Sequence, residues 1–196
     1  MSKTTVETKR INSAIEYTDA LIDKCSKLNV IRVDLGYKKP YSDEITFDMA
    51  KADLNRMVNN RRGKPSVFDN LVGYMCKKEY TEAKGMHFHP MFFFDGQKVL
   101  NDVMKAEQIG EYWVDNITKG NGSYHNCNRN KYKNNGVGML EHNDSIKRAN
   151  LDKAVSYLCK DDHQDIQPVK SNERDRAFTR GTLPKSKSNA GRPRKG

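Results

Sequence analysis

The chain of 196 residues carries 35 Lys and Arg against 25 Asp and Glu, a formal charge of +10, and is 36% hydrophobic. That length sustains one core with polar extensions, and the charge excess marks a polyanion, either nucleic acid or an anionic membrane surface, as the partner. Met1 to Arg10 is polar and no apolar run is long enough to span a bilayer, which leaves nucleic acid in the cytoplasm as the favoured partner and excludes a membrane one. Cys25, Cys76, Cys127 and Cys159 show no CxxC pairing, so neither a disulfide framework nor a zinc ribbon is predicted, and His125 with Cys127 lacks a second ligand pair.

From about Asn12 to Leu28, Ile15, Leu21, Ile22, Cys25 and Leu28 recur at helical spacing, an amphipathic scaffold helix. Asn29 to Tyr37 alternates, with Ile31, Val33, Leu35 and Tyr37 on one face and Arg32, Asp34 and Gly36 on the other, a half-buried strand. After a turn region, Thr46 to Asn60 forms a second helix with Phe47, Ala50, Leu54, Met57 and Val58 inward. Arg61-Arg62-Gly63-Lys64-Pro65 ends it. Val67 to Tyr80 reads as a strand with Glu79 near its end, and a turn from about Thr81 to Gly85 folds it into a hairpin with the next strand.

That next strand is Met86-His87-Phe88-His89-Pro90-Met91-Phe92-Phe93-Phe94. Alternation puts His87, His89, Met91 and Phe93 on one face and Met86, Phe88, Phe92 and Phe94 on the other. Two imidazoles on one face can hold a divalent ion through their ring-nitrogen lone pairs; they can equally be polar residues on the wetter face, hydrogen-bonded to neighbours. Pro90 has no N–H for a sheet ladder, so it is expected at a bulge or on an unpaired side.

Val99 to Ile117 is the third helix, with Trp113 in its buried stripe. Lys119 to Gly138 is a polar loop that interleaves Tyr124, Arg129, Lys131, Tyr132 and Lys133, a mixture suited to single-stranded nucleic acid because phosphates attract cations and exposed bases stack on π-faces. Asn150 to Asp162 is the last helix, with Leu151, Val155 and Leu158 inward. Tyr157 lies about 200° around from Val155 and shares its side with Lys153 and Lys160. It is either an ordinary surface tyrosine or a presented nucleophile. Residues 163 to 196 hold nine Lys or Arg and three acidic residues. They form a basic, flexible extension whose Gly191-Arg192-Pro193-Arg194 end resembles an AT-hook core that places arginines in the minor groove, with a non-specific basic tail as the plainer reading.

The His87-Phe88-His89 string followed by Tyr157-Leu158-Cys159-Lys160 resembles the second and third motifs of the HUH superfamily of rolling-circle initiators and relaxases. Met86 to Phe94, Ile109-Gly110 to Thr118, Val155 to Asp162 and Arg176-Ala177-Phe178 are similar to inovirus-type replication proteins of filamentous phages and prophage-like elements. The resemblance covers roughly residues 29 to 180. It implies an α+β fold with a central antiparallel sheet and flanking helices, related to the RNA-recognition motif, with an N-terminal helical extension (1–28), an endonuclease domain (29–162) and the basic extension (163–196).

The resemblance also implies a single-tyrosine nickase that cuts one strand of origin DNA, leaving a 5′-phosphotyrosine link and a free 3′ hydroxyl that primes synthesis. His87 and His89 become ligands of Mg²⁺ or Mn²⁺, Tyr157 the nucleophile and Lys160 its basic partner. Glu79 is the third ligand by hairpin position, with Glu82, Asp34 and His163 competing. Arg32, Lys153, Arg192 and Arg194 join the loop residues as DNA contacts. No Walker A pattern is present, so strand separation must come from a host helicase or superhelical stress, with a host polymerase extending the primer. The alternative is a non-catalytic phage or prophage DNA-binding regulator using the same basic surfaces.

Overall fold

The alternation after Asn29 is realised as β1 (Lys27–Tyr37), the strand on which the sheet is built, in a computed structural model that describes residues 3–61, 63, 65–160 and 166–184. One edge of β1 pairs with β3 (Gly85–Asp95). The other edge is shared, by β4 (Gly122–Asn126) along its C-terminal half and β5 (Gly138–Glu141) along its N-terminal half. β2 (Leu71–Thr81) makes the expected antiparallel hairpin with β3, and β6 (Phe178–Arg180) adds to the far side of β2. The six-stranded antiparallel sheet has the order β4-β1-β3-β2-β6, with β5 on β1.

Helix α2 (Phe47–Asn60) connects β1 to β2, with the short α3 (Pro65–Phe68) before β2, and α4 (Asp102–Tyr112) connects β3 to β4. The β-α-β-β-α-β succession with strand order β4-β1-β3-β2 is the split arrangement of RNA-recognition-motif-like and ferredoxin-like sheets. Phe88, Phe92, Phe94, Leu35, Trp113 and Ile109 fill the core beneath these helices. On the opposite face α1 (Lys3–Lys24) and α5 (Ser145–Cys159) cover Val30, Met75, Met91 and Phe93. By strand alternation, that second face also carries Arg32, Asp34, Lys77, Glu79, His87 and His89.

The expected faces of the histidine strand are those observed. The β1–β3 pairing lapses at Val33 and Asp34, opposite Pro90 and His89, and resumes at Leu35–Phe88 in unchanged register. Pro90 still pairs with Cys76 of β2, so its missing donor faces the lapse rather than a bulge. The bulge lies in β2 instead, between Leu71 and Gly73, which puts Leu71 on the same side as Tyr74.

Several elements differ from the sequence reading. α1 starts earlier and ends at Lys24, so Leu28 belongs to β1, and buried Tyr17 and Thr18 join its inner face. The polar loop after Lys119 contains β4, a strand whose partner on one side is the long β1 and whose Gly- and Asn-rich sequence masks the alternation. α5 spans Ser145–Cys159, starting a turn before the expected residue 150, and residues 161 and 162 of the expected helix lie outside the described residues. Asp144 caps it by accepting from the Lys147 N–H, and Lys160 leaves the helix at its C-cap in an extended conformation. Within the extension expected to be flexible from residue 163, the described residues 166–184 bury Ile166 and supply β6, and the AT-hook-like end lies outside the described residues.

β4 is held against α4 by the ring of Tyr124, which lies over Gly110. A methyl group at Gly110 would meet that ring at 2.2–2.5 Å. Gly110→Ala should gain about 1 kcal/mol of helix propensity and lose more to overpacking, a net loss on the order of 1–2 kcal/mol. Urea denaturation should show a lower midpoint at unchanged slope.

Candidate metal centre

The hairpin register places Glu79 of β2 directly opposite His87 of β3, with Lys77 opposite His89. Glu79 Oε2 lies 3.2 Å from His87 Nε2 and 2.9 Å from His89 Nε2, while its Oε1 is 2.7 Å from Lys77 Nζ. All three donor groups lie within 4.8 Å of one another. Ligand atoms about 2.1 Å from a divalent ion at octahedral or tetrahedral angles are separated by roughly 3.0–3.4 Å. The two Glu79–imidazole separations already have that size, so the donor set fits an ion.

Both imidazoles are oriented from behind. His87 Nδ1 donates to the carbonyl oxygen of Gly85 at 3.0 Å, and His89 Nδ1 donates to Asp34 Oδ1 at 2.6 Å. A carbonyl or carboxylate can only accept, so each Nδ1 keeps its proton and each Nε2 faces Glu79. The rings stand edge to face, 5.4 Å apart and at 88°. Asp34 reaches His89 across the lapse in the β1–β3 pairing, so Pro90 contributes to the site by what its nitrogen cannot do.

Electrostatics follow from this packing. Burial works against the charged form of Glu79, but hydrogen bonds from His87, His89 and Lys77 outweigh it and hold the carboxyl far below the ordinary carboxylate range. Burial would lower His89, yet its bonds to Asp34 and Glu79 push it up to about 9. Asp34 is drawn down against its own burial by His89 and Arg32. Glu79, His87 and Lys77 are each less than a tenth exposed, at 6%, 8% and 4%. The site is a sunken cluster of matched charges rather than a solvated acidic patch.

The structure brings together His87, His89 and Glu79 and separates the other ligand candidates from them. Asp34 stands behind His89, Glu82 lies in the turn beyond β2 beside a cavity with Asp43 and Tyr80, and His163 is outside the described residues. Tyr157 is on α5, 61% exposed, and its hydroxyl has no hydrogen-bond partner among the described residues. The C-terminal end of that helix lies over the site's face: Lys77 and Arg10 both act electrostatically on Cys159, and Arg10 donates to the Cys159 carbonyl at 3.1 Å. Lys160 leaves the helix in an extended conformation, so it shares Tyr157's neighbourhood through the helix cap and not through helical spacing.

Of the nucleic-acid candidates, Tyr124 and Arg129 are tied to Glu107, the phenol donating at 2.5 Å and the guanidinium at 3.0 Å. The Tyr124 hydroxyl is pushed up to about 12, chiefly by its bond to Glu107. Lys131, Tyr132, Lys133 and Lys153 are exposed, Arg32 borders the site, and Arg192 and Arg194 lie outside the described residues. Lys77 is the site residue that sequence reasoning missed. Its signal was present, since a residue two before Glu79 on a strand shares its face.

The RNA-recognition-motif-like sheet and the two-histidine, one-glutamate cluster on its second face define an α+β protein with side chains able to hold a metal ion. By sequence, residues 2–180 match the YagK/YfjJ C-terminal domain family, and the chain belongs to it. No curated protein and no solved structure matches the chain. No helix among the described residues is long and apolar enough to cross a membrane.

Carboxylates that orient metal-ligating histidines are worth about 10- to 100-fold in metal affinity. Asp34→Asn should therefore weaken Mn²⁺ binding by that factor while Glu79→Gln and His87→Ala abolish it. Isothermal titration of chelator-treated protein measures each, with the thermal midpoint of the metal-free state as the control for folding.

Proposed function

We propose that the protein is a metal-dependent single-strand DNA nickase and strand transferase that initiates rolling-circle replication through a 5′-phosphotyrosine intermediate. The observation that carries the reading is the convergence of Glu79, His87 and His89 on one point of the sheet face that α5, the helix bearing Tyr157, also covers. A Mg²⁺ or Mn²⁺ ion held there supplies Lewis-acid polarisation of a phosphodiester and neutralises charge on its non-bridging oxygens. Imidazole nitrogens favour Mn²⁺ over Mg²⁺ in affinity.

Within this reading the chain's own groups divide the work. Glu79, His87 and His89 fix the ion, and Asp34 and the Gly85 carbonyl fix the imidazoles. The Tyr157 oxygen attacks phosphorus in line, a new P–O bond forms, and the bond from phosphorus to the 3′ oxygen breaks. The phenol proton passes to solvent and the departing 3′ oxygen takes one up. One phosphodiester replaces another, so the step is reversible and strand transfer is its reversal with a second 3′ hydroxyl. Lys160, exposed at the end of α5, adds positive charge near the attacked phosphate. The formal charge of +10 and the exposed Lys131, Lys133 and Lys153 favour a polyanionic strand over a neutral substrate. Origin DNA is the expected target, the host cytoplasm the expected setting, and a host helicase and polymerase the expected partners.

Incubation with labelled single-stranded oligonucleotides from the element's origin region and Mn²⁺, resolved on a denaturing gel, tests the proposal. A labelled protein–DNA adduct is expected, lost with chelator and lost at least about 10³-fold with Tyr157→Phe, which removes the nucleophile outright. Cutting without an adduct means that water is the nucleophile. Binding with neither cutting nor adduct moves the protein to the class of non-catalytic DNA-binding regulators.

A further inference from the structure

On the β1 side of the metal centre, a second group of side chains is assembled that the nicking chemistry does not use. Arg32 lies on the same face of β1 as Asp34, and its Nε donates to Asp34 Oδ1 at 3.4 Å, the oxygen that also holds His89. Its side chain is 18% exposed, and among the described residues its two terminal nitrogens have no hydrogen-bond partner. A guanidinium turned by its Nε with the fork left open at the edge of solvent is a bidentate seat for a phosphate. Burial disfavours this charge, but Asp34 outweighs that cost and the group stays firmly protonated.

The loop between β4 and β5 forms the far wall of this group. Asn128 anchors the loop by filling the gap between β4 and β5 along β1: its Oδ1 accepts from the Arg32 backbone N–H at 2.8 Å, and its Nδ2 donates to the Val30 carbonyl at 3.0 Å and to Asp102 at 2.8 Å. Beyond it Asn130 Nδ2 donates to the Tyr132 hydroxyl and bonds to His125 Nε2, both at 3.0 Å. The Tyr132 phenol lies close enough to Cys127 and Arg32 to feel their charges, yet the residue remains 40% exposed between exposed Lys131 and Lys133. An aromatic ring anchored at its hydroxyl, open to solvent and flanked by cations, is a platform for an unpaired base.

We propose that Arg32 and Tyr132 form a second subsite that holds one nucleotide of a single-stranded DNA next to the metal centre, Arg32 on its phosphate and Tyr132 stacked on its base. The contacts from Glu79 through His89 and Asp34 to Arg32 join the two sites into one polar strip across β2, β3 and β1. The strand then leaves the metal centre over β1 toward the β4–β5 loop. Duplex DNA does not fit this role, because a stacked and paired base offers no free face to Tyr132. The inference rests on the nucleic-acid reading of the metal centre but not on strand cleavage.

The test is a protein–nucleotide coupling cycle in the full chain carrying Tyr157→Phe, so that no strand is cut. A fluorescein-labelled single strand selected from a random pool is replaced by an abasic unit at each position in turn. At one position the abasic unit is expected to weaken binding about 5- to 150-fold, the range of one lost base–aromatic stack. Tyr132→Ala should show the same loss on the intact strand and no further loss at that position, and Tyr132→Phe, which keeps the ring but not its hydroxyl anchor, should lose less than Tyr132→Ala and keep the coupling at that position. A neutral methylphosphonate at the adjoining linkage should weaken the parent but not Arg32→Gln. Coupling at no position, an equal loss at every position with Tyr132→Ala, or failure to select any single strand overturns the subsite. The adduct assay on the protein with Tyr157 intact separates the two ideas: adducts without coupling leave the nickase and remove the subsite, and coupling without adducts does the reverse.

Discussion

A carboxylate shut away from water is unfavourable by several kcal/mol unless its charge is matched, and Glu79 is matched three times over. Lys77 takes one oxygen and the two imidazoles share the other, so the ends of both hairpin strands are tied to a single side chain. A shift of one residue in the β2–β3 register would send Glu79 to the opposite face, among Phe88 and Phe92, with no partner. Hairpin register, metal geometry and the depth of the site therefore depend on the same ion-paired cluster.

The rest of the sheet serves that hairpin. β1 supplies Asp34 at the point where its pairing with β3 lapses, and a regular ladder there is denied by Pro90. Gly36 lies beside His87, where a methyl group would make only ordinary contacts, 3.7 Å from the His87 Cβ and 3.4 Å from the Ser123 hydroxyl. Beneath, Trp113 donates to the Gly36 carbonyl at 2.9 Å and packs edge to face on Phe88, coupling the strand between the two histidines to the core. The α4 helix widens into a π-turn over Trp113–Ile117 that Thr118 closes by donating to the Trp113 carbonyl, and this brings the indole to that position.

The second face of the sheet differs from an open RNA-recognition-motif platform because α1 and α5 pack on it. They bury Val30, Met75, Met91 and Phe93 and leave the polar strip from Lys77 to Arg32 at their margin. The covering helices thus limit how much of the sheet's second face is open, and Lys131, Lys133 and Lys153 of the loop and of α5 are exposed.

Much of this was legible in the residues themselves. Strand alternation assigned both faces of the histidine strand, the hairpin brought Glu79 opposite it, and helical spacing turned Tyr157 outward, because periods of 2.0 and 3.6 act locally and need no knowledge of the fold. β4, β5 and β6 were not legible: short and polar or glycine-rich, they are strands because β1 and β2 offer free edges to them. The same distinction runs through the site. Which residues could bind a metal was decided by sequence, whereas Asp34 standing behind His89 instead of joining the ligands, and Tyr124 and Arg129 turning to Glu107, were decided by tertiary structure. Those outcomes depend on which strand lies beside which and at what register, and that is set by burial of the whole sheet against its helices, a property no local pattern contains.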